Sequence, residues 1–211
     1  MLNKAWSPAV RISPNTSVVT GEGEEGAAAP ELKIADQPML IYVTDGAESD
    51  DFTKIENIVL QDFKVAAARN AFRCLKMTPE DVENDPALAG NGKASSRLLV
   101  VDRDWKKVKV IEGKNLSSKK LYTAMKASAN RAYKTKLDKN VKSLLKLLNE
   151  FNKINNAKKN LDQKEQRLGE EITKAEAKKI AKEREELVAE QKEADELREK
   201  LYTFELKAVK A

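Results

Sequence analysis

Histidine is missing from this chain altogether, and cysteine occurs once, at Cys74. Losing histidine removes the commonest general base and the commonest zinc ligand. A single cysteine excludes an internal disulfide, CxxC redox chemistry and any cysteine-built zinc site. Aromatic residues are only 5% of the chain, which is thin for a large core. No apolar run approaches the roughly 20 residues needed to cross a bilayer. The opening MLNKAWSPAV has no apolar stretch of the kind a signal peptide carries. The default expectation is a cytoplasmic protein, with an exported mature form left open. No motif in the chain implies a cofactor.

What the chain does have is charge and helix formers. Of its 211 residues, 35% are charged and 41% hydrophobic, with alanine, lysine and glutamate abundant. That allows one ordinary domain plus an extended part. Residues 1–36 hold Pro8, Pro14 and Pro30 and the stretch GEGEEGAAAP. They read as an irregular tail with a flexible linker at 21–31. Trp6 is a candidate anchor for docking this tail on a partner, because a buried tryptophan often dominates a small interface. The plain alternative is a loosely packed tail.

Residues 37–130 change type repeatedly. PMLIYV (38–43), FRCLKM (72–77), RLLVVD (97–102) and KKVKVIEG (106–113) are strand candidates, with DRDW as the turn between the last pair. DDFTKIENIVLQDFKVAAARN (50–70) has apolar residues at 52, 55, 58, 59, 63 and 66, a helical spacing. PEDVENDPALAG (79–90) reads as a loop with a short helix. NLSSKKLYTAMKAS opens another helix, with Ser117 as N-cap. A helix between strands implies a parallel crossover, and the last strand pair a hairpin. The expected fold class is α/β, a mixed central sheet flanked by helices.

The loop TDGAESDDF between the first strand and the first helix carries four acids, Asp45, Glu48, Asp50 and Asp51. The plain use of Ser49, Asp50 and Asp51 is to cap the first helical turn and complement its dipole. A Mg²⁺ or Ca²⁺ site from the four acids is the alternative, but their spacing matches no calcium-loop pattern. Cys74 sits mid-strand beside Phe72 and reads as a small core hydrophobe. The alternative is a peroxide-reactive thiol.

This order of elements resembles the thioredoxin-like family over 38–130. RLLVVDRDWKKVKVIEGKNLSSKKLYTAMK is similar to that family's last hairpin and helix, and DPALAG sits where its short helix before the cis-proline lies. The resemblance implies a WCxxC segment within 45–52, where this chain reads DGAESDDF. It implies a cis-proline near Ser96, where the chain reads KASSRLLVV. Thioredoxin chemistry needs a thiolate activated at a helix N-terminus and a second thiol to resolve the mixed disulfide. Both are missing, so the loop reads as a vacated redox site: Asp45, Glu48, Ser49, Asp50, Asp51 and Ser96 mark its place.

From 114 to 211 there is no proline and one glycine, Gly169, so this part is expected to be helix. Leu137, Val141, Leu144, Leu148 and Phe151 recur at coiled-coil spacing, as do Leu187, Ala194, Leu197, Leu201, Phe204 and Ala208. Asn155, Asn156, Lys158 and Lys159 interrupt the seam. Gly169 reads as a C-cap, and Thr173 with Glu176 as a capping box flanked by Ile172 and Ala177. The arm at 131–211 is therefore expected to break near 169–173. It would fold back as an antiparallel hairpin, or continue as a bent rod.

Residues 114–160 carry 13 basic residues against Asp138 and Glu150, a net of +11. Lys119, Lys120, Lys126, Arg131, Lys134, Lys136, Lys139, Lys142 and Lys146 spread over more than one face. The plain reading is a solvated surface partly neutralised by glutamates of the second helix. An acidic partner or anionic lipid is the alternative, with nucleic acid behind it because no aromatics interleave the lysines. The expected function is non-catalytic scaffolding: protein partners on the domain, and self-association through the arm.

Overall fold

The computed structural model describes residues 6–8, 37–169 and 173–208. They divide into two compact units. One contains the residues up to Val141 together with those from Phe204 onward; the other is Lys142–Thr203. The linker at 21–31 and Ile172 lie outside the described residues.

The first unit is a mixed sheet with the order β1-β3-β2-β4-β5. Its strands are β1 (Ser7–Pro8), β2 (Met39–Val43), β3 (Arg73–Met77), β4 (Arg97–Val101) and β5 (Val108–Ile111). β2 reads MLIYV with all five residues buried, because it lies between β3 and β4 and is covered on both faces. It pairs parallel to β3 and antiparallel to β4, and β5 returns antiparallel to β4. Met39, Ile41, Val43, Leu75, Met77, Leu99 and Val101 form one face, joined by Val82 and Leu88. Leu40, Tyr42, Cys74, Leu98, Val100 and Ile111, the alternate residues, turn the other way and are equally buried.

The tail is not irregular throughout. Ser7 and Pro8 pair in parallel with Leu75 and Lys76, so β1 is an edge strand, where a proline is tolerated. Trp6 is held by its own chain: its ring lies 5.7 Å from that of Tyr42, and the Arg69 guanidinium sits 4.7 Å above it. A cation–π contact of this kind contributes about 0.5–2 kcal/mol.

The helix expected over 50–70 is broken. α1 (Asp50–Lys54) runs into a π-helical turn at Ile55–Val59, and α2 (Phe63–Ala68) starts afresh. The cause is Asp62, whose carboxylate accepts from the N–H groups of Lys64 and Val65 and caps the new start. Ile58 and Phe63, placed on the buried stripe by spacing, are 61% and 66% exposed as a result. The short helix is α3 (Pro79–Asn84), not DPALAG, which is a run of turns. Thr78 and Asp81 form its capping box, with Pro79 in the first turn.

Before β4, the loop closes over Arg97, which is 2% exposed. Its Nε donates to Asn91 O at 3.0 Å and its Nη1 to Ala94 O at 2.6 Å. Glu112 accepts from the N–H groups of Lys93 and Ala94.

The stretch 114–211 is not one helix and a break at Gly169, as expected. α4 (Ser118–Ala132) is capped by Ser117, and then the chain leaves helix at Tyr133 before α5 (Leu137–Leu168) begins. Tyr133 is extended, with φ −112° and ψ 150°. Its hydroxyl donates to Ala71 O at 2.7 Å, and its ring lies 5.0 Å from Phe204. Asn130 Oδ1 accepts from Leu137 N at the start of α5. The chain after α6 (Lys174–Tyr202) returns here: Leu206 bridges Tyr133, and Lys134 N donates to Glu205 O. Phe204 thus belongs to the first unit rather than to a helical seam.

The second unit is an antiparallel helical hairpin made by α5 and α6. Phe151 meets Arg198, Lys158 meets Gln191 and Glu165 meets Arg184, so seven residues forward on one helix is seven back on the other. Leu147, Phe151, Ile154 and Ala194 form its apolar cluster, with Leu187 and Leu201 against it. The buried position is Leu147 rather than Leu148, and Leu197 is 43% exposed where Ala194 is buried. Gly169 takes φ +49° at the turn, and Thr173 and Glu176 form the capping box read from the sequence.

Two expectations follow for stability. At Gly92, with φ +88°, an added Cβ would lie 2.7 Å from both Arg97 Cδ and Glu112 Oε2. Gly92→Ala should cost about 2 kcal/mol or more in urea unfolding; unchanged stability would mean the loop is not held as described. Asp138 accepts from the Tyr122 hydroxyl at 2.8 Å and meets Lys126 Nζ at 3.0 Å, and these contacts hold its carboxyl below the usual range. A depressed carboxyl contributes stability that is complete above its unfolded value near about pH 4 and fades as pH falls through the folded one. The pair is exposed, so its worth is below about 1 kcal/mol. Asp138→Asn should therefore flatten the acid limb of a melting-temperature profile below about pH 4 and leave its slope near neutrality unchanged.

Candidate functional site

The loop after β2 comes together with the segment before β4, because β2 and β4 are antiparallel neighbours. Thr44 is 3% exposed and Ser96 1%, and their hydroxyl oxygens are 3.4 Å apart. Thr44 Oγ1 also accepts from Gly46 N at 3.0 Å. The loop's polar groups are spent on its own backbone. Asp45 Oδ1 accepts from Ala47 N, Ser49 Oγ accepts from Phe52 N as the α1 cap, and Asp51 Oδ2 accepts from Gly113 N at 3.3 Å. Glu48 and Asp50 are exposed. Among the described residues no three acids or thiols converge as metal ligands would.

Cys74 is on β3, 3% exposed. Its Sγ lies 3.8 Å from Arg69 O. A thiol this buried, against main-chain carbonyls, packs as a small apolar side chain.

Lys126 pairs with Asp138, and Lys134 with Glu205 at 3.0 Å. Lys139, Lys142 and Lys146 are exposed. Among the described residues of the hairpin, the cross-helix ion pairs run from Arg184 of α6 to Asp162 and Glu165 of α5, at 2.7 and 2.6 Å, not from α5 lysines to α6 glutamates.

Lys119, Lys120 and Arg131 are brought instead to a groove of about 980 Å³ between β5 and α4. Its floor is Val100 and Ile111, and its helical wall is Thr123, Ala124, Ala127 and Ser128. The small side chains of α4 leave the space. Lys106, Lys107 and Lys109 line the strand side. The one acid, Asp102, is committed: both its oxygens accept from Arg131 at 2.7 Å, which also holds the Arg131 guanidinium above its ordinary value.

No protein-family model matches this chain, and no curated protein matches it.

Thr44, which stands beside Ser96, was not among the residues singled out from the sequence, although a hydroxyl directly after a fully apolar strand was its signal. Sequence reasoning read KKVKV as a strand without asking what its alternate lysines face. Cys74 supplies a test. In the native protein it should react with Ellman's reagent only at the rate of structural opening, orders of magnitude slower than in denaturant. Reaction at the free-thiol rate would show an accessible cysteine.

Proposed function

We propose that this chain is a non-catalytic binding and scaffolding protein, built from a redox-dead thioredoxin-like domain and a coiled-coil arm. The observation that carries the reading is the Thr44–Ser96 hydroxyl pair at the end of β2, where thioredoxin chemistry would place its thiols and proline. The strand order β1-β3-β2-β4-β5 and its directions support the family likeness. The self-capped loop and the buried Cys74 support binding over catalysis. The arm's role is assembly. Its helices bury the Leu147–Phe151–Ile154–Ala194 cluster, and polar layers such as Lys158–Gln191 set register in the way buried polar pairs do in coiled coils.

A second reading, binding of an acidic partner, has its own support in the lysine-lined groove. Nucleic acid is the weaker form of it, because no aromatic side chain is interleaved with those lysines.

Two measurements test the main reading. Reduction of insulin disulfides by dithiothreitol should run at the background rate with this protein present; turnover would overturn the non-catalytic reading. Phe151→Asp puts a charge into the hairpin cluster and should lower stability by about 3 kcal/mol or more, with lost helical ellipticity. Light scattering on the same pair of proteins reads assembly. A variant with the parent's helicity, stability and mass would remove the arm from the function.

A further inference from the structure

The outer edge of β5 has no strand beside it among the described residues. Asp102 N donates to Lys107 O at 3.0 Å, which makes Asp102 and Lys107 a hydrogen-bonded pair. Continuing the ladder, Lys109 and Ile111 are bonded to β4 through Val100 and Leu98. The main-chain groups of Val108 and Val110 therefore point outward, away from the sheet. The side chains of Lys109 and Ile111 lie on the α4 side, in the groove. A strand laid along β5 would find free main-chain partners at Val108 and Val110. Its alternate side chains would enter the groove over α4.

The groove has a definite chemistry. Lys119, Thr123, Ala127 and Arg131 follow one another at intervals of four along α4, cationic at the ends and small in the middle. Opposite them stand Lys107 and Lys109. With Asp102 taken by Arg131, the remaining lysines face no carboxylate among the described residues that line the groove. One further group points to a ligand: Ser128 lines the groove, is 2% exposed, and its hydroxyl has no hydrogen-bond partner. A buried hydroxyl left unpaired costs about 1–3 kcal/mol. Lysines on a free edge also discourage pairing of two copies, since like charges would meet. The same lysines attract a strand of opposite charge.

We propose that the groove between β5 and α4 accepts an extended, acidic segment of a partner protein, which adds as a sixth strand to the edge of β5. Its main chain bonds to Val108 and Val110. Acidic side chains meet Lys107, Lys109 and Lys119. A small or branched residue lies over Ala124 and Ala127, and a polar one pairs with the Ser128 hydroxyl. This deepens the scaffolding reading and rests on it. Strand addition draws affinity from main-chain bonds and specificity from alternate side chains.

The test uses the full-length protein and a fluorescein-labelled heptapeptide of alternating glutamate and valine, read by fluorescence anisotropy. Saturable binding is expected that weakens as salt rises, with no binding of the lysine–valine counterpart. Lys107→Glu combined with Lys109→Glu should weaken binding at least tenfold, and Ser128→Ala several-fold. Val110→Pro removes an outward N–H that the fold does not use, so it should weaken binding at least tenfold while circular dichroism stays native. If that variant loses its fold, hydrogen exchange on the parent protein decides. Peptide should slow exchange of the Val108 and Val110 amides; unchanged exchange overturns the added strand. Displacement of the peptide by inorganic tripolyphosphate, with Val110→Pro binding normally, would make the groove a small-anion site and overturn the proposal. An oligonucleotide that binds with the same indifference to Val110→Pro would do so too. Absence of peptide binding overturns the groove proposal alone, whereas insulin reduction by the same preparation overturns the scaffolding reading beneath it.

Discussion

Tyr133 holds the first unit together at the point where the chain would otherwise run straight on. The residues around it, SANRAYKTKLDK, contain no glycine or proline. Local propensity would carry α4 into α5 as one rod. Instead Tyr133 is extended and 2% exposed, with its hydroxyl on the Ala71 carbonyl and its ring on Phe204. Its neighbours bond the returning strand through Lys134–Glu205 and Ala132–Lys207. Lys142–Thr203 is thus inserted in the chain between two segments of the first unit that pair with each other at this corner. A helical residue gives up favourable backbone geometry here because tertiary hydrogen bonds and ring contacts outweigh it.

The loop after β2 in the same unit is bonded to itself. A strand followed by a helix start is where α/β proteins present reactive groups, because the loop is exposed and the helix N-terminus favours negative charge. Here that position is furnished with oxygen atoms that bond the loop itself. Thr44, Asp45 and Ser49 each satisfy a backbone N–H within three residues. Such a loop is stabilised by the groups that a catalytic loop would hold in reserve.

In the hairpin, apolar burial and polar pairing divide the work. The cluster around Phe151 removes apolar surface from water, which drives the helices together without choosing how they align. Gln191 opposite Lys158, and Arg184 opposite Asp162 and Glu165, disfavour a slip of one turn, because a shift would separate these partners. The exposed ion pairs add little stability by themselves. Their contribution is to register.

Strands β2 to β5, the Ser117 and Thr173 caps and the Gly169 turn were legible in the sequence, because each depends on neighbours within a few residues. The α5–α6 break was legible for the same reason. The Asp62 and Thr78 caps were written there as well, and were overlooked. Other features were not local. Leu147 rather than Leu148 is buried because the partner helix decides which stripe is covered. Trp6 lies against Tyr42 and Arg69 because β1 pairs with a strand more than sixty residues later. Lys109 and Arg131 share a groove because the sheet register and the docking of α4 bring them together. The sequence by itself determined strands β2 to β5, the place of most helices, and that histidine, internal-disulfide and CxxC chemistry are excluded. Only the tertiary structure decided the break at Tyr133, the pairing of Thr44 with Ser96 and the groove beside β5. Each of these is set by contacts between residues far apart in the chain, and their energies enter only once the sheet has formed.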